Sequence, residues 1–444
     1  MNLSPFALNR ARRSSGLSIF EIALAARDDA VAHPDCFVSV CTIAEIETQV
    51  AQIQTGLDAG RALPLAGLTF CIKDNIDLTG YCSTGNCPGY GTVATETAPA
   101  VQKAMDAGAI LIGKNTMDQF ATGLNGTRSP DPICRNAIDP AVIPGGSSSG
   151  SGVAVAKGIC DFSFGSDTGG SGRVPAAANG IVGFKPTPGL ISGRGMVYCN
   201  RSFDVIPIFT KSVADAQAVF DVVGGADVLD PYAFKGPLQD VPSQTGQNYA
   251  IPSRLDHFGD EAAKVAHQEN LDHLIASGAR LTEIDFAPFS QAGDLVFGSA
   301  LVAERLVDYG DFIAATPQAV LAPVAEAINS GLRYSARDAF TTLYKLADLK
   351  MQCLQVLEGF DALILPTIPR LFTVAEMQAD PMTRNSIMGT YTYFANPLGM
   401  SAIAVPGVSR ADTLPSSLCF VGLGGADNIL MEQARAFEAV LSEV

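Results

Sequence analysis

Residues 144–152 read PGGSSSGSG and residues 165–175 read GSDTGGSGRVP, and these two segments decide how the rest of the chain is interpreted. Both lie within residues 145–195, which hold 14 of the 43 glycines of the chain. Glycine permits positive φ angles and lets a backbone approach a ligand closely. Because the cluster has no collagen-like period and is flanked by apolar residues such as Val153–Ala156, it predicts loops packed around a site and not a flexible linker.

Short apolar runs alternate with helical stretches on both sides of these segments. Buried strands are predicted at residues 65–73, 109–112, 361–366 and 402–406. Helices are predicted at residues 17–58, 101–107, 260–277, 313–331, 335–358 and 427–442, and a surface connection at residues 224–250. This alternation is typical of the α/β class.

The charge balance disfavours two classes of partner, although it leaves open a local basic patch. The chain has 29 basic and 45 acidic residues and a formal net charge of −16, so nucleic acid and anionic membrane surfaces would repel it. No uncharged apolar run reaches the roughly 18 residues that a membrane span needs. Glu21 interrupts the first apolar stretch, which therefore does not resemble a signal peptide. We expect a cytoplasmic protein that binds neither nucleic acid nor membrane.

The ten cysteines show no repeated CxxC spacing of the kind that zinc sites use. Several lie in apolar surroundings, as Cys71 does within residues 68–72. We therefore expect buried free thiols in a reducing compartment, with neither a metal nor a cofactor.

A nucleophile, a base and a site for oxyanion charge are what a hydrolase needs. Ser171 follows Thr-Gly-Gly, where a turn can present several free backbone N–H groups. None of the four histidines falls in the glycine-rich region. A lysine can replace histidine as the base when burial lowers its pKa, and Lys73, at the end of a predicted strand, is the best candidate.

One alternative pattern overlaps the first segment. Residues 146–150 match GxSxG, which would make Ser148 the nucleophile of an α/β-hydrolase paired with a histidine from residues 257–273. That interpretation leaves Lys73 and Ser171 without a role, so we favour the lysine-based site. A phosphate-binding loop is excluded, because GxxxxGK[ST] does not occur.

Taken in order along the chain, these segments resemble the amidase signature family. The resemblance rests on residues 73–75, on the separation of 24 residues between Ser147 and Ser171, and on residues 182–187 and 361–369. It spans nearly the whole chain. It implies a large mixed central sheet covered by helices on both faces.

The resemblance also implies a role for each residue of the site. Ser171 would be the acylating nucleophile, Ser147 would bridge it to Lys73 with a cis peptide bond at Ser147, and neutral Lys73 would accept the proton. The oxyanion hole would consist of the backbone N–H groups of Thr168, Gly169, Gly170 and Ser171. Hydrogen bonds that hold the loops would come from Asp167, Arg173 and Ser149.

Within the family, residues 118–130 and 302–305 resemble allophanate hydrolase. This resemblance implies that Arg305 anchors a substrate carboxylate, a task that suits its planar, bidentate guanidinium. Gly123 and Phe297 would be further substrate-binding positions. Phe297 stands where the subfamily has a tyrosine, so one polar substrate contact is missing.

We expect a single amidase signature domain over residues 1–444, acting as a homodimer on a small-molecule amide. Its parts would be an N-terminal helical segment of about residues 1–60, a catalytic core of about residues 61–225 and a substrate-side region of about residues 226–444, with no second C-terminal domain.

The expected reaction is hydrolysis of allophanate with release of ammonia. Guanylurea, biuret or a simple aliphatic amide remain alternative substrates. Another alternative is the amidase subunit of a tRNA-dependent amidotransferase, which the charge of −16 disfavours. A non-catalytic binding protein is disfavoured by the intact Lys73, Ser147 and Ser171.

Overall fold

The structure, a computed structural model, describes residues 6–7, 14–239 and 247–442. Its strands are β1 (Phe37–Val40), β2 (Thr69–Lys73), β3 (Ile110–Asn115), β4 (Phe162–Phe164), β5 (Val182–Lys185), β6 (Ile208–Thr210), β7 (Asn248–Pro252), β8 (Arg280–Ile284), β9 (Ala362–Pro366), β10 (Ser401–Pro406) and β11 (Ser417–Gly422). They form one mixed sheet in the order β1-β3-β2-β4-β6-β5-β10-β11-β9-β7-β8. The α/β class and the large mixed sheet are thus confirmed.

Helices cover this sheet. Within the described ranges the α-helices are α1 (Ile19–Ala32), α2 (Ile43–Asp58), α3 (Pro99–Asp106), α4 (Ser149–Lys157), α5 (Val174–Ala178), α6 (Val213–Val223), α7 (Glu261–Ala276), α8 (Ala287–Gly298), α9 (Arg305–Ala315), α10 (Ala322–Asn329), α11 (Ala336–Val356), α12 (Val374–Ala379), α13 (Thr383–Met388) and α14 (Asp427–Ser442). No helix of these ranges is long and apolar enough to cross a membrane.

Two helix predictions were wrong because turn and cap residues interrupt them. The stretch 17–58 contains β1, since Pro34 follows the end of α1 and Thr42 caps α2 through a box with Glu45. The stretch 313–331 is divided between α9 and α10, with Pro317 in the short 3₁₀ helix between them.

The remaining element predictions hold to within a few residues at their ends. The strand predicted at 65–73 begins only at Thr69, and the one predicted at 109–112 extends to Asn115. Within the predicted surface connection 224–250, β7 already begins at Asn248, and residues 240–246 lie outside the described residues. Most of the N-terminal stretch considered for targeting, residues 1–5 and 8–13, lies outside them as well.

Loops that carry the candidate site residues meet at the carboxyl ends of β2 and β4. Strands β2 and β4 are parallel neighbours, so their carboxyl ends meet. Lys73 is the last residue of β2, and residues 165–171 follow β4. Helix α4 begins directly after Ser148, and it packs on β2 and β4. The fold therefore brings both glycine-rich segments to the end of the lysine-bearing strand.

The core around these strands is apolar and tightly filled. Every residue of β2 and β3 is buried, as expected for strands covered on both faces. Phe70 stacks on Phe162 with ring centroids 5.0 Å apart. The ten cysteines are all free thiols and nine are buried, with Cys82 partly exposed, as predicted.

We expect Phe162→Ala to lower the free energy of unfolding by about 3–5 kcal/mol, because it removes a fully buried ring and leaves a cavity. Phe340→Ala is the matched control, since that ring is 59% exposed and its loss should change the value by about 0.5 kcal/mol or less. Urea denaturation measures both. Equal losses in the two variants would contradict this assignment of the core.

Candidate active site

The amine of Lys73 is enclosed by serine hydroxyls. Its Nζ donates to Ser147 Oγ at 2.7 Å and to Ser166 Oγ at 2.8 Å, and the whole side chain is buried. Asn75 Nδ2 donates to the same Ser166 hydroxyl at 3.1 Å. Among the described residues Lys73 forms no ion pair. The amine is thus held by neutral hydrogen-bonding groups.

Burial determines the protonation of this lysine. Removal from water disfavours the charged form and lowers the pKa of Lys73 to about 7, although nearby acidic groups, with Asp118 the strongest, oppose the shift. The Asp118 carboxylate is already occupied by backbone N–H groups, those of Asn125, Gly126 and Arg128. A substantial fraction of Lys73 is therefore neutral near pH 7 and able to accept a proton.

The position of Ser147 depends on a compact loop. The peptide bond between Gly146 and Ser147 is cis, which confirms that expectation. The carbonyl of Ser147 accepts the N–H of Asp118 at 3.0 Å. A side chain at Gly146 would lie within 2.2 Å of Asp118 Oδ2, so only glycine fits there. These contacts aim the Ser147 hydroxyl at Lys73.

A buried ion pair holds the loop that carries Ser171. Arg173 donates from Nε to Asp167 Oδ2 at 3.0 Å and from Nη2 to Oδ1 at 3.1 Å, and neither side chain is exposed. Its remaining bonds reach Thr392 O and Asn396 Oδ1. Burial alone would raise the pKa of Asp167, but the Arg173 guanidinium holds it below its usual value. The loop-holding roles of Asp167 and Arg173 are confirmed.

Ser149 does not share that role. Its buried Oγ has no hydrogen-bond partner within the described ranges, so the prediction that it ties the loops together was wrong. As the first residue of α4, Ser149 lies beyond the turn that its neighbours organise.

The backbone around Ser171 offers several free donors. The N–H groups of Thr168, Gly169 and Ser171 have no acceptor among the described residues. The N–H of Gly170 differs, because it donates to Asp167 Oδ1 at 2.7 Å. The structure therefore does not present Gly170 to an oxyanion as the resemblance implies.

The Ser171 side chain is also without a hydrogen bond in the described part of the chain, and the residue is 2% exposed. Its position three residues before α5 places it beside the free N–H groups. Direct contact of Ser171 with Ser147 remains a prediction.

Arg305 is a second buried arginine with very different surroundings. Its Nε donates to Cys199 Sγ at 3.0 Å, and its guanidinium lies 4.4 Å from the ring centroid of Phe297. Both terminal nitrogens, Nη1 and Nη2, are buried and have no partner within the described residues. Leaving the donors of a buried cation without partners is energetically costly.

Aromatic rings connect Arg305 with the Ser171 loop. Phe297 lies 5.1 Å from Tyr393 between ring centroids. A Cβ placed on Gly169 would lie 2.8 Å from Cδ1 of Tyr393, so that ring packs directly on the loop. Phe297 and Tyr393 also line a cavity of about 450 Å³. The Arg305 guanidinium and the loop with the free N–H groups thus lie against the same pair of rings, Phe297 and Tyr393.

Gly123 lies in the turn that surrounds Asp118. A Cβ there would come within 2.5 Å of Asp118 Oδ2, so glycine is required for packing. Its role in substrate binding stays a prediction.

Several residues that hold the site together could not be recognised from the sequence. Ser166 was not among the predicted site residues, although a hydroxyl that follows a strand end can accept a hydrogen bond from a lysine. Cys199 gave no signal, because it is distant from Arg305 in sequence. Thr392 and Asn396 hold Arg173 across more than 200 residues, which local patterns do not reveal.

The competing GxSxG interpretation receives no support from the geometry. Ser148 Oγ donates to the carbonyl of Ser166 at 3.0 Å and contacts no histidine among the described residues. His257 and His267 pack against each other, with ring centroids 5.7 Å apart. His257 also contacts the carbonyl of Pro369.

Comparison with known proteins agrees with this site. The family model for amidases matches residues 23–431. The chain belongs to the amidase family. It is accordingly a hydrolase that acts on amide C–N bonds.

Three relatives illustrate its place in the family. Urea amidolyase of Lachancea kluyveri is 37% identical over 84% of this chain and 21% of its own length. A glutamyl-tRNA(Gln) amidotransferase subunit of Deinococcus radiodurans is 32% identical over 94% of this chain and 92% of its own. The structure of Kluyveromyces lactis allophanate hydrolase is 31% identical, with a TM-score of 0.89 over 96% of this chain and 73% of that one.

The chain spans about a fifth of the length of the urea amidolyases that it matches. The similarity to allophanate hydrolase confirms the family and subfamily resemblance.

We expect Arg173→Met to lower the free energy of unfolding by about 3–5 kcal/mol, because it leaves the Asp167 carboxylate buried without its countercharge. Lys264→Met is the control, since its ion pair with Glu261 is largely exposed and should contribute about 1 kcal/mol or less. Chemical denaturation measures both variants. A loss in Arg173→Met no greater than in the control would show that the pair does not hold the loop.

Proposed function

We propose that this amidase hydrolyses a small urea-like amide that bears a carboxylate, such as allophanate, and releases ammonia. The observation that carries the proposal is the fully buried Arg305 guanidinium, whose Nη1 and Nη2 lack any partner among the described residues. An isolated buried cation is costly, and a bound carboxylate would relieve that cost with two charge-assisted hydrogen bonds.

The surroundings of Arg305 suit a small planar substrate. Phe297 covers one face of the guanidinium and Cys199 occupies Nε, so the two terminal nitrogens are what remains for a ligand. Phe297 has no hydroxyl to offer, which leaves recognition to the arginine. Guanylurea and biuret lack a carboxylate and would gain less from this cation.

The proposed chemistry begins with proton transfer. Neutral Lys73 takes a proton from Ser147, which takes one from Ser171, and the Ser171 oxygen attacks the amide carbon. The free N–H groups of Thr168, Gly169 and Ser171 stabilise the oxyanion. The proton returns to the leaving nitrogen, ammonia departs, and water hydrolyses the acyl-enzyme by the same relay.

The 2.7 Å separation of Lys73 Nζ and Ser147 Oγ supports the first transfer, because the two atoms are already within the hydrogen-bond distance that proton transfer requires. The engagement of Gly170 by Asp167 supports an oxyanion site of three N–H groups in which Gly170 positions the turn and does not bind the oxyanion.

A second candidate is the amidase subunit of a tRNA-dependent amidotransferase. Its support is the nearly full-length match to the glutamyl-tRNA(Gln) amidotransferase subunit of Deinococcus radiodurans. The net charge of −16 weighs against a chain that works beside tRNA. Ammonia release from urea-like amides by the isolated chain favours the first proposal, whereas dependence on a partner protein and tRNA favours the second.

Arg305→Met should reduce kcat/KM for allophanate by about 100-fold or more, since two charge-assisted hydrogen bonds are lost. Activity on biuret, which has no carboxylate, should change by less than about threefold, because no such bonds are involved. Steady-state ammonia release measures both, and the exposed Arg280→Met is the control. Equal losses on the two substrates would rule out a carboxylate anchor.

Ser171→Ala should lower kcat for ammonia release by about 10³-fold or more, since no nucleophile remains. The exposed Ser277→Ala controls for the substitution itself. The assay should include allophanate, biuret, guanylurea, malonamide and aliphatic amides. Retained activity in Ser171→Ala on the best of these substrates would refute the acyl-enzyme proposal.

A further inference from the structure

Two thiols and a carboxylate meet at a point that the active site does not use. Cys36 lies just before β1 and Cys134 lies in the loop between β3 and α4, 98 residues later. Their Sγ atoms are 3.6 Å apart, and both residues are completely buried. One carboxylate oxygen of Asp35 lies within 4.8 Å of both sulfur atoms.

We propose that Asp35, Cys36 and Cys134 form a binding site for a thiophilic divalent cation, with Zn²⁺ as the best fit. Two thiolates on a tetrahedral Zn²⁺, each at about 2.3 Å, lie about 3.8 Å apart, which is close to the separation seen here. A carboxylate is the third ligand and water completes the tetrahedron. Thiolate ligands exclude Mg²⁺ and Ca²⁺, which prefer oxygen donors.

The three donors are held by their surroundings. The backbone N–H of Arg135 donates to Asp35 Oδ2 at 3.1 Å, which turns the carboxylate toward the loop of Cys134. The carbonyl of Cys36 accepts the N–H of Thr116 at 3.0 Å. Asp35 is partly exposed while the two cysteines are buried, so it marks the side from which a cation enters.

Binding needs no oxidant or reductant. The cation displaces the two thiol protons to solvent and forms two metal–sulfur bonds and one metal–oxygen bond, with charge −1 on the three ligands and the ion together. Because two protons are released, binding strengthens as pH rises.

A cation bound at this site would stabilise the loop that carries Ser147. The N–H of Thr116 bonds to Cys36 O, and the carbonyl of Thr116 accepts the N–H of Gly150 at 3.1 Å, three residues beyond Ser147. A Cβ on Gly150 would lie 2.5 Å from Cys36 O, so these backbones are in close contact. The bound cation would thus tie the N-terminal segment to the start of α4.

The test uses the full chain, reduced with a phosphine, stripped of metal by a chelator and titrated with Zn²⁺ against a chromophoric competitor. We expect one Zn²⁺ per chain with a Kd below about 1 μM, and Cd²⁺ should produce a thiolate-to-metal absorption band. Millimolar Mg²⁺ should not compete. Zn²⁺ should protect two thiols from alkylation, and peptide mass spectrometry should locate them at Cys36 and Cys134.

Variants separate this site from other thiols. Asp35→Asn should weaken Zn²⁺ binding at least about tenfold, and Cys134→Ser at least about 100-fold. Cys160→Ser is the matched control, because Cys160 is also a buried free thiol but forms its hydrogen bond with Cys71, and the substitution should leave Zn²⁺ binding unchanged.

Three results would overturn the proposal. They are the absence of stoichiometric Zn²⁺ binding by the reduced wild-type chain, protection of thiols other than those of Cys36 and Cys134, and unchanged binding in Cys134→Ser. The alkylation map needs no substituted protein, so the proposal can fail even where a cysteine variant does not fold.

Discussion

The burial of the Lys73 amine among hydroxyl groups is the constraint on which the site depends. A charged ammonium in that position would lose its hydration without gaining a carboxylate, so the pKa falls to about 7. Strand β2 supplies the rigid support, and Ser147 and Ser166 supply the hydrogen bonds. A lysine held in this way is chemically suited to the role of general base that we propose for it.

Two fully buried arginines differ in how many of their hydrogen-bond donors find a partner. Arg173 has its charge matched by Asp167 and its remaining donors matched by carbonyl oxygens, so it fixes the Ser171 loop. Arg305 keeps two donors unmatched by any described residue, beside Phe297. Arg173, whose donors are matched, is therefore structural, whereas Arg305, whose two terminal nitrogens are unmatched, is the arginine that we propose binds substrate.

Strands and helices with a clear local pattern of apolar residues could be predicted from the sequence. The apolar runs of β9 and β10 and the long helix α11 were placed closely, because burial and helical periodicity are local properties. Strand β1 was missed because it is only four residues long, and its pairing with β3 is a distant contact. The same limit applied to the site. Lys73 could be proposed from its place at a strand end and Ser147 from the family resemblance, whereas Cys199 and the Cys36–Cys134 pair required the fold to bring them together.

The most direct test of the central claim is the pH dependence of Ser171 reactivity toward a sulfonyl fluoride, which needs no knowledge of the substrate. If neutral Lys73 is the base, the rate of Ser171 modification should rise about tenfold per pH unit up to pH about 7 and then level off. In Lys73→Met the rate should be lower and that rise should vanish. The same pH profile in Lys73→Met as in the wild type would contradict the account.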